Sequence, residues 1–537
     1  MNLIRKCILL FVVFVISITT SFAQNKKPNF LIIVADDLGF SDIGCYGSEI
    51  KTPTLDSLAQ NGMRFTNFYN TARCWTTRSS LMCGYYHDQL GVDRKGIDYK
   101  KPTYVTWARA IPEMLQPMGY KSYMSGKWHV PPIDRVCKDA KFDRAYRLDD
   151  PDRNFNPTHH SLDDKNLPAV KKDSGYYSTV NITDYMIEFL KEHDENHPDK
   201  PFFAYLTYIV PHFPLHALPE DIKLYEGKYS HGWNKNREAR FARLKDLGFP
   251  EYNLSTPESK LPTPSDNKGL KVLKDVFGEK EVTSAVDWDA LSDDQKIFQA
   301  KKMEIHAAAI TRMDMEIGRI VNQLKEMGVL DDTIIIFLSD NGASAEMMVR
   351  GDGHKDGAEF GSADSYLCLG PGWANSSNTP FRRYKIWTHE GGISTPFIIS
   401  WGNGIDKNLR GKFNESKSHV IDIMPTLLFL AGSDSTKATE SAPYFPGKDL
   451  TTAIKHGKKI DRDFIYFNHS GNNSIIAGDW KATRSTFMTG DRKWRLYNIS
   501  SDRAEENDLS DSHPDKLTTL IQKWESLQKQ YSIDNGF

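Results

Sequence analysis

Short apolar runs alternate with longer amphipathic stretches along most of the chain. Residues 29–35, 202–209 and 333–338 are hydrophobic at nearly every position, which is typical of strands buried on both faces of a sheet. Residues 292–327 instead repeat apolar side chains at helical spacing, and Ser292 with Gln295 predicts a capping box at their start. Strands and helices that alternate in this way predict an α/β fold with a large, mostly parallel central sheet flanked by helices.

The same patterns predict the remaining elements of this region. Helices are expected at residues 53–61, 106–118, 178–193 and 419–430, and strands at residues 63–69, 121–125 and 396–400. Three polar stretches without a clear period are expected to be loops, namely residues 149–173, 225–280 and 350–378. Loops of this length in a compact domain usually carry function.

The pattern changes near residue 441. Short strand-like runs at residues 464–467, 474–477, 480–484 and 494–498 precede a helical stretch at residues 514–531. We therefore predict a large α/β domain over residues 24–440. A smaller C-terminal α+β subdomain is expected over residues 441–537, with a small antiparallel sheet and a closing helix.

The first residues have the composition of a cleavable signal peptide, residues 1–23. Arg5 and Lys6 precede an apolar stretch that is too short to span a bilayer comfortably. The segment Ser21-Phe22-Ala23 then supplies small residues at the usual cleavage positions. We expect cleavage after Ala23 and a secreted or periplasmic protein without a stable membrane anchor.

Charge and cysteine content narrow the class of protein further. The 537 residues carry a formal net charge of −2 and no basic run, which argues against nucleic-acid binding. After cleavage the chain keeps an odd number of cysteines, namely Cys45, Cys74, Cys83, Cys137 and Cys368. An odd number in an exported protein predicts a free or modified thiol, and the spacing is not that of a disulfide scaffold.

Polar pairs follow two of the buried strands. Asp36 and Asp37 come directly after the first apolar run. Asp340 and Asn341 come after the run at residues 333–338. Each pair alone is consistent with a solvated turn. Because open α/β sheets place ligands at the carboxyl ends of their strands, the two pairs together can converge on one cation, and their oxygens favour Ca²⁺ or Mg²⁺ over zinc.

Cys74 begins a second group of short motifs. It stands four residues before Arg78. Cys74 also fits a buried hydrophobic cysteine. A plain thiolate nucleophile is a second alternative, but no short cysteine-protease motif surrounds the residue. Three more motifs follow in order: Gly-Lys-Trp-His at residues 126–129, Pro-His-Phe-Pro-Leu-His at residues 211–216, and Lys385 five residues before Glu-Gly-Gly. Each alone also fits an ordinary turn.

In this order along the chain, the motifs resemble the type I sulfatases of the alkaline phosphatase superfamily, over about residues 27–400. Residues 381–396 resemble a stretch of exported bacterial carbohydrate sulfatases. The family signature reads Cys-x-Pro-x-Arg or Cys-x-Ala-x-Arg, whereas this chain has Thr76 at the Pro or Ala position and Cys83 where Thr is usual. The resemblance implies an alkaline-phosphatase-like sandwich. It also implies a partner, a formylglycine-generating or sulfatase-maturing enzyme, that oxidises Cys74 to formylglycine.

The resemblance implies a reaction and a metal site. The hydrate of the formylglycine would attack a sulfate monoester on a sulfated glycan, beside a calcium ion for which magnesium is the alternative. The implied metal ligands are Asp36, Asp37, Cys74 in its modified form, Asp340 and Asn341. A cation held there would orient the reactants and screen the repulsion between them.

The resemblance also implies the roles of the other catalytic residues. The implied set is Cys74, Arg78, Lys127, His129, His212 and Lys385. The arginine and the two lysines would add positive charge around the sulfate. His129 would act as the base, and His212 as the general acid for the leaving alcohol, with Lys385 as a second candidate acid.

The rim of the site is expected to contact the sugar through His354, Trp373 and Arg382. A tryptophan face and arginine or histidine donors suit a sulfated sugar. A merely structural loop is an equally good reading of each of these residues.

Other functions fit part of this pattern. A phosphodiester or phosphonate monoester hydrolase would use the same nucleophile. A non-catalytic protein that binds sulfated glycans would keep the cleft with Cys74 unmodified, although the intact set of lysines and histidines argues against it. A two-metal alkaline phosphatase would use Thr76 or Thr77, and it needs further Asp and His ligands that the sequence does not place.

Overall fold

The computed structural model describes residues 27–92, 105–131, 133, 135–250 and 252–535. The expected signal peptide lies outside the described residues. The strands are β1 (Asn29–Asp36), β2 (Met63–Phe65), β3 (Phe68–Tyr69), β4 (Lys121–Gly126), β5 (Arg144–Leu148), β6 (His160–Leu162), β7 (Lys165–Asn166), β8 (Phe202–Pro211), β9 (Thr333–Ser339), β10 (Phe397–Ser400), β11 (Phe413–Asn414), β12 (Ser418–His419), β13 (Ile465–His469), β14 (Asn472–Ala477), β15 (Trp480–Ser485) and β16 (Arg495–Asn498). The α-helices are α1 (Pro53–Asn61), α2 (Cys74–Cys83), α3 (Ile111–Leu115), α4 (Val136–Ala140), α5 (Ser178–Asn196), α6 (Pro219–Lys223), α7 (Gly232–Asp246), α8 (Asn267–Phe277), α9 (Asp293–Glu326), α10 (Pro371–Ser377), α11 (Glu390–Ile393), α12 (Ile423–Leu430), α13 (Thr451–His456) and α14 (Pro514–Asp534).

A mixed ten-stranded sheet runs through the larger part of the molecule, in the order β11-β2-β10-β9-β1-β8-β4-β5-β6-β7. Its central strands β9, β1, β8, β4 and β5 are parallel to one another. Antiparallel pairs occur only toward the two edges, between β10 and its neighbours and between β5, β6 and β7. The structure therefore confirms the predicted α/β fold with a large, mostly parallel central sheet.

Strand β1 shows why the central strands are apolar at every position. Leu31 and Ile33 pack into the core on one side of the sheet, and Phe30, Ile32 and Val34 pack into the core on the other side. Helices α5 and α9 contribute to the first core, and α2, α3 and α12 contribute to the second. Because both faces of the strand are covered, neither face needs polar side chains.

Helix α9 begins as the sequence predicts. The Ser292 hydroxyl accepts a hydrogen bond from the Gln295 N–H at 3.3 Å, and Gln295 Oε1 accepts one from the Ser292 N–H at 2.9 Å. This reciprocal pair is the predicted capping box, so that prediction is confirmed. Just beyond the helix, Gly328 adopts a left-handed conformation with φ of 70°, which favours glycine and stops the helix.

Two of the predicted loops contain helices. Residues 225–280 include α7 and α8, and residues 350–378 include α10, so the loop predictions are wrong there. Helix α7 has no clear apolar period because polar residues such as Arg237 and Arg240 are part of its buried face. Arg240 is neutralised by Asp42, to which it donates a hydrogen bond at 2.7 Å. A buried face stabilised by ion pairs does not show in the hydrophobic pattern.

Other elements are shorter than predicted. Within residues 106–118, only α3 is α-helical, followed by a 3₁₀ turn at Gln116–Met118. Pro112 lies in the first turn of α3, the position where a helix tolerates proline, and this explains the late start. Residues 63–69 form two short strands, β2 and β3, instead of one, and a 3₁₀ turn at Val420–Asp422 precedes α12.

The C-terminal part forms a four-stranded antiparallel sheet in the order β13-β14-β15-β16. Helix α14 packs on it through Leu520, Trp524 and Tyr531, as the predicted small sheet with a closing helix requires. Lys481 of β15 pairs with Glu390 of α11 at 2.9 Å and so joins this sheet to the larger part. The domain boundary at residue 440 stays a prediction.

Two further features bear on the sequence predictions. Within the described part of the chain, no helix combines the length and apolar character that crossing a bilayer needs. The cysteines of that part are all free thiols, in agreement with the expected free or modifiable cysteine: Cys45, Cys74, Cys83, Cys137 and Cys368.

Candidate active site

The polar pairs at the ends of β1 and β9 lie together. These strands are parallel neighbours, so their carboxyl ends reach the same edge of the sheet. The Asp37 N–H donates to Asp340 Oδ1 at 3.3 Å, and Asn341 Nδ2 donates to Asp37 Oδ1 at 2.6 Å. Asp37 has a left-handed φ of 65°, which Asp tolerates better than most residues. The fold therefore gathers Asp36, Asp37, Asp340 and Asn341 into one buried cluster.

This cluster fits a hard divalent cation. Asp36 Oδ1 and Asn341 Oδ1 are buried and have no hydrogen-bond partner among the described residues. Leaving a buried acceptor unsatisfied costs about 1–3 kcal/mol, and a bound cation would remove that cost. Oxygen atoms from three carboxylates and one amide are the donor set that Ca²⁺ or Mg²⁺ prefers. Ligand atoms of Asp36, Asp37 and His212 also lie within 4.8 Å of one another.

The carboxylates of the cluster are electrostatically crowded. Burial and the nearby charge of Asp36 raise the pKa of Asp340 to about 7, even though Arg78 contacts it. Burial also opposes the charge on Asp36, but Lys127, His212 and Arg78 together hold its pKa well below the usual range. The carboxylates of the cluster therefore repel one another, and a cation bound between them would relieve that repulsion.

Three basic side chains surround the acidic cluster. Arg78 is fully buried and donates from Nε to Asp340 Oδ2 at 2.8 Å. Lys385 Nζ lies 2.8 Å from Asp37 Oδ1, and Lys127 Nζ contacts Asp36 Oδ2. Each lysine therefore holds one carboxylate in place and adds positive charge to the region that an anionic substrate would enter.

Cys74 is the first residue of helix α2, after Arg73, which has extended backbone angles of −149° and 144°. The free N–H groups and the dipole of a helix N-terminus favour anions at this position. Burial raises the pKa of the Cys74 thiol above its usual range, although Lys127 and Lys385 oppose the shift. The unmodified side chain is therefore a neutral thiol at neutral pH, which does not favour a plain thiolate nucleophile.

The two threonines beside Cys74 have structural contacts. Thr76 is fully buried, and its hydroxyl lies 2.6 Å from Thr71 Oγ1 and donates to the Arg73 carbonyl at 3.0 Å. Thr77 Oγ1 lies 2.9 Å from the same Thr71 hydroxyl. Neither threonine lines the cavity described below. This geometry does not favour the alkaline-phosphatase alternative, which needs one of these hydroxyls as a nucleophile.

Both predicted catalytic histidines line the cavity. His129 Nδ1 is buried without a hydrogen-bond partner in the described structure, and burial together with Lys127 holds the pKa of His129 well below its usual range. His212 Nε2 lies 3.6 Å from Asp37 Oδ2, and Nδ1 contacts the Phe213 carbonyl. Burial lowers the pKa of His212 to about 4.

A cavity of about 530 Å³ opens over these residues. Its polar floor includes Cys74, Lys127, His129, His212 and Lys385. Its walls add apolar side chains, among them Trp75, Val130, Ile133, Leu148, Phe213 and Met348. A volume of this order suits a small organic ligand such as one or two sugar rings.

Glu346 also lines the cavity, and the sequence motifs did not indicate it. Its carboxylate lies 2.8 Å from Lys385 Nζ and 2.8 Å from Arg73 Nη1. The two cations hold the pKa of Glu346 well below its usual range against the effect of burial. Glu346 therefore positions Lys385 together with Asp37. The only signal in the sequence was an acidic residue shortly after Asp340, which is too common to be informative.

Replacement of Glu346 by glutamine is expected to lower kcat about tenfold to one-hundredfold, because a contact to a charged group contributes about 1.5–3 kcal/mol. Loss of the carboxylate should also lower the melting temperature, since Arg73 and Lys385 stay buried without it. Steady-state kinetics and thermal unfolding would measure the two effects.

Glu258 offers a matched control for this experiment. Its carboxylate also pairs with two cations, Arg382 and Arg383, at 2.7 Å, but it does not line the cavity. Glu258→Gln should lower the melting temperature and leave kcat near the wild-type value. If Glu346→Gln behaves in the same way, Glu346 has only a structural role.

The structure does not bring the three predicted sugar-contacting residues to the cavity. Trp373 is 0% exposed and packs against Tyr229, Trp233 and Trp288, so the prediction for it is wrong because no ring face is free. The guanidinium of Arg382 is bound to Glu258. The imidazole of His354 packs against Phe277 and Phe360 and accepts from the Tyr366 N–H. Neither of these two residues lines the cavity, and their predicted contacts with a sugar stay predictions.

Comparison with known proteins gives a consistent result. The family model named Sulfatase matches residues 28–433. An uncharacterized sulfatase of Schizosaccharomyces pombe is 32% identical, over 94% of this chain and 93% of its own length. An arylsulfatase of Klebsiella aerogenes is 31% identical, over 79% of this chain and 91% of its own length. The solved complex of BT4656 with its substrate D-glucosamine-2-N,6-O-disulfate has a TM-score of 0.63 at 22% identity, covers 95% of this chain and 100% of that one, and shows the same fold.

Proposed function

The chain belongs to the sulfatase family, and on this basis we propose that it releases sulfate from sulfated glycans, with formylglycine formed from Cys74 as the nucleophile and a calcium ion as the cofactor. Membership makes the protein a sulfuric ester hydrolase. One observation carries the finer proposal: Cys74 opens the helix at the floor of a cavity whose other floor residues contact the buried acidic cluster. Magnesium is the alternative metal.

The acidic cluster would hold the cation through Asp36, Asp37, Asp340 and Asn341, with residue 74 as the further ligand. A bound divalent cation supplies positive charge that polarises a sulfate oxygen. A formylglycine hydrate supplies a hydroxyl nucleophile, and a second hydroxyl whose deprotonation lets the sulfate leave.

The basic residues bind and orient the sulfate. Lys127 and Lys385 line the cavity, and each already has its ammonium within contact of a carboxylate of the cluster. Arg78 lies below them and donates to the Lys127 carbonyl at 2.9 Å, so it fixes the lysine backbone as well as Asp340. Their fixed positive charge offsets the repulsion between an anionic sulfate and an oxygen nucleophile.

The histidines are proposed to move protons. His129 faces the cavity with an unpaired buried Nδ1 and is held neutral by burial and by Lys127, which suits the base that takes a proton from the residue-74 hydrate. His212 is proposed to give a proton to the leaving alcohol oxygen, and this role requires that the bound anionic sulfate raise its pKa from about 4. Lys385 is the second candidate, because both side chains approach Asp37 Oδ2, at 3.6 Å and 2.9 Å.

The substrate, the maturation partner and the cellular location are each proposed from a separate observation. BT4656, which shares the fold, binds a sulfated glucosamine, and a cavity of about 530 Å³ with a cationic floor suits such a sugar. Formation of the formylglycine needs a formylglycine-generating or sulfatase-maturing enzyme as partner. The signal-peptide-like residues 1–23 support secretion or export to the periplasm.

A panel of monosulfated sugars tests this proposal. The protein, expressed with a sulfatase-maturing enzyme, should release inorganic sulfate from at least one sugar sulfate and do so faster than it releases phosphate from the matching phosphate ester. Preference for the phosphate or phosphonate ester would support the rival hydrolase. Tight binding of sulfated sugars with no release under any maturation condition would support a non-catalytic glycan-binding protein.

A further inference from the structure

Arg350 lies on the cavity wall, and the ring of Phe213 separates it from the catalytic residues. Arg350 lines the same cavity as Cys74 and Lys385. Its guanidinium carbon lies 5.0 Å from the centroid of the Phe213 ring. The His212 ring stacks on Phe213 with centroids 4.2 Å apart, and Lys385 Nζ lies 5.8 Å from the same centroid. The Phe213 ring therefore spaces Arg350 from the sulfate-binding floor.

The other cations that line the cavity have their counter-ions within it or beneath it. Lys127 pairs with Asp36, below the floor, and Lys385 and Arg73 pair with Glu346, which itself lines the cavity. The cation of Arg147 is matched by Asp149, which also lines the cavity and accepts from Arg147 Nε at 2.6 Å. Each of these cations therefore has a carboxylate close to it.

Arg350 differs from these residues because its counter-ion lies behind the wall. Its Nη2 is 3.3 Å from Asp152 Oδ1, and Asp152 does not line the cavity. Asp152 is held by the Tyr366 hydroxyl at 3.0 Å, which fixes the back of the guanidinium. The Arg350 side chain is 41% exposed and lines the cavity, so a ligand in the cavity can reach it. A fixed guanidinium of this kind suits carboxylate or sulfate oxygens.

We propose that Arg350 binds a second anionic group of the substrate, a sulfate or a carboxylate carried next to the sulfate that is hydrolysed. This inference rests on the proposed function, and it narrows the substrate class to glycans with two neighbouring anionic groups. Phe213 sets the spacing between the two anions, and the apolar walls contact the sugar ring between them. A sulfated sugar without the second anion binds more weakly, because Arg350 then stays hydrated and unpaired on that side.

Kinetics on matched sugars test the inference. The substrates are one monosulfated sugar, the same sugar with a second sulfate, and the same sulfated sugar linked to a uronic acid. A disaccharide of equal size with a neutral second sugar controls for length. The wild-type enzyme should have a kcat/KM at least about tenfold higher for one of the two dianionic substrates, with the difference mainly in KM, because one charge-assisted contact at a half-exposed site supplies that much binding. The dianionic substrate with the higher kcat/KM shows whether Arg350 binds a sulfate or a carboxylate.

The variant Arg350→Ala should lower kcat/KM for the preferred dianionic substrate about tenfold more than for the monosulfated sugar. Arg350→Lys should keep part of the preference. Lys355→Ala removes an equal charge from the same loop, where Lys355 pairs with Asp364 and does not line the cavity, and it should keep the full preference. Equal losses on all substrates, or no wild-type preference, would overturn the inference and leave Arg350 as a brace between Asp152 and Phe213.

A binding measurement keeps this result separate from the catalytic proposal. In the Cys74→Ala background, titration calorimetry should show tighter binding of the dianionic than of the monosulfated sugar, and Arg350→Ala should remove the difference. Failure of hydrolysis with this binding pattern intact counts against the nucleophile and not against Arg350. The absence of any binding difference overturns the inference whatever the enzyme hydrolyses.

Discussion

Replacement of Cys74 by alanine is expected to lower sulfate release by at least about 10⁴-fold, since removal of a covalent nucleophile has effects of this size or larger. The fold should survive, because the side chain lies at the first position of α2 and forms no disulfide. Binding of a sulfated sugar and of calcium should remain measurable by calorimetry. Cys368→Ala is the matched control, because this buried free thiol does not line the cavity and its loss should leave activity near wild type.

The same prediction has a chemical readout. In active wild-type protein, mass spectrometry of the peptide that contains Cys74 should show an aldehyde at that residue, and a hydrazide probe should label it. Hydrolysis of sulfate esters by protein whose residue 74 is entirely a thiol would exclude the proposed nucleophile.

A substitution at Thr76 is expected to change the fraction of Cys74 that is converted to formylglycine. The maturation enzyme reads its target in an extended form, which proline favours, so Thr76→Pro should raise the converted fraction and the activity together. Residue 76 lies in the first turn of α2, where proline is tolerated, but the variant loses the hydroxyl contacts to Thr71 and the Arg73 carbonyl. We therefore expect a stability loss of about 1 kcal/mol for each lost hydrogen bond.

Thorough chelation is the second change with a large expected effect, and it should abolish activity. Asp36 Oδ1 and Asn341 Oδ1 have no hydrogen-bond partner in the described structure, and burial together with the charge of Asp36 raises the pKa of Asp340. A ligand that binds only the folded state stabilises it by about 2.7 kcal/mol at one hundred times its Kd, so the metal-free protein should also unfold at a lower temperature. Calcium should restore both properties, and magnesium is the comparison.

A pair of buried aspartates controls for loss of charge. Asp36→Asn should weaken calcium binding and activity together. Asp42→Asn alters a carboxylate that is equally buried near the same strand but is bound to Arg240 and His306, so it should lower stability and leave the calcium affinity unchanged. Full activity in a metal-free sample would exclude the metal proposal. So would a zinc ion bound through His212 in place of the oxygen cluster.

Much of the framework could be predicted from the sequence because the signals are local. Uniformly apolar runs identified the central strands, since a strand covered on both faces needs no polar alternation. The position of Asp36 and Asp37 after one such strand, and of Asp340 and Asn341 after another, was enough to expect them at one edge. In a sheet of parallel neighbours the carboxyl ends meet there by geometry.

Predictions failed where burial is achieved by polar contacts. The buried face of α7 includes Arg237 and Arg240, which a hydrophobic period does not detect. Trp373 looked suited to stack on a sugar because a sequence shows that a residue is aromatic but not what covers it. In the fold it is enclosed by Tyr229, Trp233 and Trp288.

The sequence by itself determined the fold class, the acidic pairs at the strand ends and the family. Only the tertiary structure decided which charges meet. Lys385 reaches Asp37 across 348 positions of the chain, Arg78 reaches Asp340 across 262, and Glu346 was found only through its contacts. Hydrophobic periodicity and strand-end chemistry act over a few residues and leave a local pattern. Buried ion pairs instead depend on how segments that are distant in the sequence pack together in a medium of low dielectric constant. They therefore leave no local pattern in the sequence.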